Sequence, residues 1–409
     1  MADPRFPDVV TGPTQEPQFS SAPPTPLGII PPAAIGTQGQ DIAVLKVGLK
    51  EFQDWETVMV QTRWHDECDI ARFSAAERRD DIVPYWQLLQ IKPCDTIEVW
   101  LSGQLAMTGT IIERQVAYDA DNHGVQFTAK GKSRWAYKSS VNSQTGSFDQ
   151  MSFEEIYKKV LSPYGTPLVV GVLNPLKFQK VQNQPGESNW DFLERLARVR
   201  GIILASDYTG PPVAVGIYNT QPRAALIEGV NIQAMNAVIN VDETFVNYKA
   251  IGQMAASNET SGTAASEQES PPVGGTGCNE SILITPSEQP VTLPELLDRA
   301  RNEAKWHEAA KLTCTIVVQG WTYDGVNLWR VGTSVWVKSK MAMLDNKLSI
   351  RRATYTQDRN QGSLTTLECV WPWMLNDSPE VEGLNPTPPD QPPGAPPTAE
   401  QIKDTLPFP

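Results

Sequence analysis

The chain has 409 residues, with 34 Lys plus Arg against 47 Asp plus Glu and a formal charge of −13. That length suits two to four domains, and the negative field argues against nucleic acid as a general partner. Its five scattered cysteines form no C-x-x-C pair; free thiols, synthesis in a reducing cytoplasm and no membrane anchor are the expectation.

Residues 1–40 open the chain as a proline-rich arm, in which APPTPLGIIPPAAIG (22–36) favours solvated, extended backbone. Alternating and β-branched runs follow: DIAVLKVGL (41–49), ETVMVQTRW (56–64), DTIEVWL (95–101), TGTIIERQVAY (108–118) and VQFTAKG (125–131) read as strands. Three helices come next. MSFEEIYKKVLSPYG starts on a capping box of Ser152 and Glu155. In GESNWDFLERLARVRG, Ser188 caps, Phe192, Leu193, Leu196 and Val199 form an apolar stripe, and Gly201 ends the helix. TLPELLDRARNEAKWHEAAK begins with Thr292 and Glu295 and should bury Leu293, Leu296, Leu297, Ala300 and Ala304. Before it lies MAASNETSGTAASEQESPPVGGTG (254–277), small and polar; after it LTCTIVVQGW (312–321) reads as strand. A second proline-rich segment, NPTPPDQPPGAPP (385–397), lies near the end.

The expected class is α+β, with two β regions flanking a helix-containing insert. The divisions are 1–40 arm, 41–146 first β domain, 147–228 α/β insert, 229–253 strands returning to the β region, 254–280 flexible loop, 281–311 helical segment, 312–375 second β domain and 376–409 acidic proline-rich tail.

AYDADNHGVQF (117–127) resembles the opening of a calcium loop, with Asp119, Asp121, His123 and Gly124 in order. The twelfth position, where a bidentate glutamate belongs, is Lys130, and an ammonium there repels a dication. A turn with Gly124 in the left-handed position is the better reading. GKS (131–133) lacks the first glycine of a phosphate loop and reads as strand. His307 and Glu308 begin a zincin pattern that Lys311 breaks, and His65 with Cys68 lacks partners for a tetrahedral set. No catalytic constellation, metal site or cofactor site is expected. The twelve tryptophans lie mostly on strands, where burial is the expected use.

Residues 91–135 and 329–373 align without a gap. Val99 meets Val337, Ile112 meets Ile350, Arg114 meets Arg352, Asn122 meets Asn360, Gly124 meets Gly362, Thr128 meets Thr366 and Trp135 meets Trp373. These seven identities in 45 positions exceed the roughly three that ordinary composition gives. The second turn, QDRNQG, keeps N-x-G and lacks the carboxylates, so both stretches read as hairpins of two related β units.

Three segments resemble the baseplate hub proteins of contractile phage tails, the Mu-like hub or late-control tail protein family. They are QNQPGESNWDFLERLARVRGIILASDYTG (182–210), EGVNIQAMNAVINVDETFVNYKAIGQ (228–253), and the stretch from LLDRARNEAKWHEAAK through SIRRATYTQDRNQGSLTTLECVWPWML. The first is similar to the family's GES/T-x-[WF]-x-x-[IL]-x-R-L-A-x-x-x-G insert. The resemblance covers roughly residues 41–375 and leaves out the proline-rich arms. It implies two tandem antiparallel β-barrel domains per chain and a homotrimer closing as a pseudo-six-fold ring on the virion axis. It also implies a structural, non-enzymatic adapter between a central spike protein and the tail tube or tube initiator, beside other baseplate proteins. Because the chain ends in a proline-rich tail, the spike is expected to be a separate protein. The hairpin turns at Asn122, Gly124, Asn360 and Gly362 are the expected docking surfaces. The rival readings are a cell-wall-degrading tail enzyme, which needs an acid/base or metal site, and a glycan-binding receptor protein, which needs exposed tryptophan platforms.

Overall fold

The structure is a computed structural model and describes residues 41–53, 55–76, 91–118, 123–143, 146–253, 268–278, 280–287 and 292–377. Both proline-rich arms, most of the 254–277 stretch, and Asp119, Asp121 and Asn122 lie outside them.

The first strands are β1 (Ala43–Val47), β2 (Lys50–Phe52), β3 (Thr57–Arg63), β4 (Ile70–Ala76), β5 (Thr96–Leu101), β6 (Gln104–Tyr118) and β7 (His123–Gly131). Helix α1 (Ser133–Lys138) follows β7 at once, so GKS is a strand-to-helix turn and not the continuous strand expected from its sequence. Ser133 is nonetheless buried, its hydroxyl donating to the Glu67 carbonyl at 2.8 Å, and a six-residue helix without the leading glycine makes no phosphate cradle.

The insert contains β8 (Ser147–Ser152), α2 (Phe153–Leu161), β9 (Leu168–Val170), β10 (Lys177–Gln182), α3 (Asn189–Arg200), β11 (Ile203–Ser206) and β12 (Pro212–Val215). β8 pairs with β10, and β11, β12 and β9 make a small sheet. Phe148, Phe153, Ile156, Phe192, Leu193 and Leu196 pack between them as a separate core. The sequence signals hold here for the expected physical reasons. Ser152 and Glu155 form a full capping box, Ser188 caps α3, and Gly201 closes it at φ 64. Such caps satisfy N–H groups that the first helical turn leaves without partners and contribute about 1 kcal/mol each.

Next come β13 (Pro222–Ile227), β14 (Ala234–Ile239), β15 (Asn247–Gly252), β16 (Gln268–Glu269), β17 (Val273–Gly274), β18 (Ile282–Pro286) and α4 (Leu293–Ala310). β15 to β18 form their own sheet, against which α4 lays Leu296 and Ala300. Leu293, expected on the buried face of α4, is the first residue of that helix and is 46% exposed, outside the cluster that Leu296 and Ala300 form with the sheet. The chain then returns as β19 (Leu312–Gln319), β20 (Ser334–Ser339), β21 (Leu344–Asp358) and β22 (Gly362–Val370).

Thirteen strands join into one sheet along the path β14-β19-β22-β21-β3-β4-β7-β6-β5-β1-β2, with β20 on β21 and β13 on β20. β13, from the stretch read as insert, thus belongs to this sheet. Burial alternates along β3 and β19 as a one-sided antiparallel strand requires. Two β-barrels were the expectation. The architecture is instead a mostly antiparallel continuous sheet on an open path, with no barrel closure among the described residues. β21 joins β3 from Arg352 opposite Arg63 to Gln357 opposite Val58, and one apolar core runs under both regions.

Within this sheet the order β3-β4-β7-β6-β5 repeats as β14-β19-β22-β21-β20, antiparallel at every step. The gapless alignment is out of register with it. Each long strand carries a bulge, at Ile112 in β6 and at Arg351 in β21. Anchored on these bulges, Ile111 and not Ile112 is the counterpart of Ile350, since Ile111 faces Ala129 as Ile350 faces Cys369. Both are buried to 1% exposure or less. Arg352 therefore corresponds to Glu113, and Ala129 rather than Gly131 corresponds to Cys369. A bulge displaces the facing of every residue beyond it, which a gapless comparison cannot register.

Candidate functional site

The hairpin tips are the first candidates. In the second hairpin, Asp358 pairs with Gly362 across three residues, and the Asp358 carboxylate accepts from the Asn360 and Gln361 N–H groups at 2.7 and 2.6 Å. Gly362 has φ 71, the left-handed conformation the turn requires. Asn360 is exposed at the tip, while the turn is held by Asp358, which the sequence reading passed over. An aspartate two residues before an N-x-G is a legible sign of such a side-chain turn.

In the first hairpin, Tyr118 pairs with His123, and Asn122 lies outside the described residues. Gly124 is not a turn residue: it sits inside β7, opposite Ala117 and Ala76, without a left-handed φ. Its expected role is corrected, and Gly124 and Gly362 are not equivalent. The reason is again register, because the first loop closes one position earlier in β7.

Direction is the more informative property. From β21 through β3, β4 and β7 to β6 every pairing is antiparallel, so β6 and β21 run the same way and the two hairpins point to the same end of the sheet.

The region between the two units holds a cleft of about 250 Å³ lined by Arg63, Trp64, His65, Trp306, Arg351 and Met374, among others. Its charges are already matched. Arg63 pairs with Asp66 at 2.8 Å, and Arg351 and Arg352 both reach Glu368 at 2.9 Å. Burial, aided by Arg351, holds the His65 imidazole below its ordinary range. Burial and Asp69 push the Cys68 thiol up to about 11, which makes it a poor nucleophile and ligand. Below the cleft, Asp69 accepts the Arg63 N–H at 2.9 Å, and burial raises its carboxyl to about 7.

A second polar centre fastens the end of the described chain. Asp377 accepts from the Thr220 N–H at 2.8 Å, the Lys347 ammonium at 3.1 Å, and the hydroxyls of Thr220, Ser334 and Ser349. Asp377 and Lys347 have side-chain exposures of 0% and 2%, so the charge pair is compensated by hydrogen bonds rather than by water. Every group is spoken for, which marks structure rather than chemistry.

The GESNWDFLERLA stretch is also held by internal hydrogen bonds, although Asn189 Oδ1 and the Arg200 Nε and Nη1 groups are buried without a hydrogen-bond partner among the described residues. Glu187 accepts twice from Arg195 at 3.0 Å, Arg195 also donates to the Gln182 carbonyl, and the Asn189 amide donates to the Ala136 carbonyl at 2.7 Å. Arg200 leaves the same helix to pair with Glu295 at 2.6 Å, tying α3 to α4. His307 sits among the rings of Phe245, Tyr248 and Trp306. Among the described residues no group of three or more His, Cys, Asp or Glu is placed to hold a metal, and no helix is long and apolar enough to cross a membrane. Of the described tryptophans, Trp135 and Trp306 are the well-exposed ones, at 45% and 44%, and they stand on different helices.

No curated protein matches the chain in sequence. Residues 137–213, most of the insert, match the family described as baseplate hub protein gp44-like, second domain. Among solved structures, the 43 kDa tail protein of prophage MuSo2 from Shewanella oneidensis is similar at TM-score 0.69 and 21% identity, covering 82% of this chain and 99% of that one. A tail protein from Neisseria meningitidis MC58 matches at TM-score 0.69 and 19% identity, over 82% and 98% of the two chains. An E. coli component of the type VI secretion system, described as structurally similar to the T4 bacteriophage tail proteins gp27 and gp5, matches at TM-score 0.51 and 12% identity over 84% and 79%. Residues 137–213 thus match the second domain of the baseplate hub gp44-like family, and the chain as a whole is similar in fold to phage tail proteins.

Proposed function

We propose that the protein is the hub of a contractile tail baseplate, a homotrimer on the virion axis that joins a three-fold central spike to the six-fold tail tube or its initiator. The observation that carries this reading is the repeated five-strand order with both hairpins directed to one end of the sheet. Three such chains present six near-equivalent hairpins, so a six-fold partner meets a match at every subunit. On this reading the tips around Asn360 and Gly362, and the first hairpin's tip between Tyr118 and His123, are docking surfaces for the tube, and other baseplate proteins surround the ring. The role requires positioning and rigidity and no catalytic group, in keeping with an Asp377 centre whose members are fully engaged.

A mechanical hub must hold together under load, which calls for interfaces of the obligate class, on the order of 2,000 Å² or more. Size-exclusion chromatography with light scattering on the purified chain is expected to give three copies. A monomer or a hexamer throughout the working concentration range would remove the reading.

A further inference from the structure

The two long strands use their flanks differently. β21 pairs with β20 from Leu344 to Ser349, with β22 from Ser349 onward, and with β3 from Arg352 to Gln357. β6 pairs with β5 from Gln104 to Thr110 and with β7 from Gly109 to Tyr118. Among the described residues nothing pairs with its remaining flank, from Glu113 to Tyr118. The counterpart of β3 is β14, since Val60 faces Ala71 as Ala237 faces Cys314. β3 is paired on both sides, while among the described residues β14 pairs with β19 alone. Among the described residues the unit-to-unit joint is therefore made once inside the chain, and one half of a corresponding joint stands open at each end of the repeat.

We infer that the open flank of β6, Glu113 to Tyr118, pairs with β14 of a second copy of this chain in the register of the internal β21–β3 joint. Transferring that register places Glu113 opposite Asn240, Val116 opposite Ala237, and Tyr118 opposite Met235. The inference rests on the trimeric reading and deepens it, because a contact between unlike edges closes a ring when the rotation permits.

Three further observations support this pairing. In the internal joint Tyr355 and Thr62 are buried, at 1% and 4% exposure, whereas their counterparts Val116 and Ile239 are 51% and 55% exposed. The hydrogen-bonding direction also fits. Asn240 N–H donates to the Lys311 carbonyl towards β19, so the N–H groups of Ala237, Ile239 and Val241 face outward. In the internal joint Trp64 N–H donates to the Arg351 carbonyl, and the corresponding donor and acceptor are Val241 and Ile112. Finally, β14 reads AMNAVI, without the charge, proline or bulge that guards an edge strand against pairing.

The test is a disulfide across the joint. Gln115→Cys with Val238→Cys occupies a non-hydrogen-bonded pair, where Cα atoms approach to about 4.5 Å, within bridging distance. Both side chains are exposed, and the exposed Cys94 and Cys278 are changed to Ser in the same background. Oxidation is expected to give a covalent species of three chains. The off-register pair Gln115→Cys with Asn236→Cys is expected to cross-link at least tenfold less. A covalent series that closes at another number keeps the joint and overturns the trimer. Three copies by light scattering without the cross-link, or equal cross-linking off register, overturns the joint and keeps the trimer. A monomer that does not cross-link overturns both. As a second variant, Ala237→Pro removes only an outward N–H, so it should keep its circular dichroism and run as a monomer; an intact assembly would contradict the inference.

Discussion

The two five-strand units share an order and differ in what their distal hairpins touch. In the second, Ala353 and Tyr355 are buried, because β3 and the common core cover them. In the first, Glu113 through Ala117 are all exposed. The proximal ends differ as well. The second unit is pinned by Lys347, Ser334 and Ser349 around Asp377, whereas the corresponding positions of the first are Thr108, Thr96 and Thr110, hydroxyls without a charge pair. On the flank of β5 away from β6, β1 is antiparallel, whereas β13 is parallel to β20. A duplicated unit kept its pairing and lost equal burial, and the shortfall in burial is concentrated where the proposed second copy would lie.

The contrast can be broken most severely at the Asp377 centre. Asp377→Ala leaves the Lys347 ammonium buried without its counter-charge, and is expected to cost about 3–5 kcal/mol in urea unfolding. Thr108→Ala, in the corresponding place of the first unit, should cost about 1 kcal/mol or less. Comparable losses would mean that the two ends are not organised differently.

The hairpin cores give the next effect. Tyr355→Ala empties a fully buried ring site and should cost about 3–5 kcal/mol. Val116→Ala, in the unassembled chain, should stay within about 0.5 kcal/mol. If the isolated chain suffers equally from both, β6 is already covered and the open-flank account fails.

Much of this was legible in the residues and some was not. Strand runs such as ETVMVQTRW and LTCTIVVQGW announce themselves through alternation, and the Ser152–Glu155 and Ser188 caps through local hydrogen-bonding chemistry. The N-x-G echo points to a repeat, yet its register is hidden, since one bulged residue at Ile112 or Arg351 leaves no mark on composition. Glycine at position 124 suggests a turn because glycine and turn usually coincide; pairing with Ala76 and Ala117 places it in a strand instead. Asp377 lies at the border of a proline-rich tail, where sequence gives no hint that five donors converge from segments up to 157 residues away. The joining of both units in one sheet is equally non-local, since β3 and β21 are far apart in the chain.

Acidity sharpens the comparison at the joint itself. Burial, with Asp207 adding like charge, raises the Asp69 carboxyl to about 7, above its unfolded value near 4. The folded state then binds the proton more tightly, so this contribution to stability is complete below about pH 4 and declines as pH rises through about 7. Asp69→Asn should flatten the fall in unfolding free energy between pH 4 and 8 by roughly 1 kcal/mol or more. An unchanged slope would place Asp69 in a wetter setting than the fold shows.

The smallest expected effect separates the two glycines. Gly362→Val forces a β-branched residue into a left-handed conformation at φ 71 and should cost about 1–2 kcal/mol. Gly124→Val, on extended backbone with no atom nearer than 3.9 Å to an added Cβ, should fall within about 0.5 kcal/mol. The reverse ranking would restore the gapless register.

The central claim, that one chain carries two equivalent docking units and three chains make a six-fold face, is tested most directly by an averaged reconstruction of the assembled baseplate. The account predicts three copies around the axis, six hairpins facing the tube, and strand β6 of each copy continuous with β14 of the next. Six copies, one copy, an off-axis position, or hairpins pointing away from the six-fold partner would contradict it.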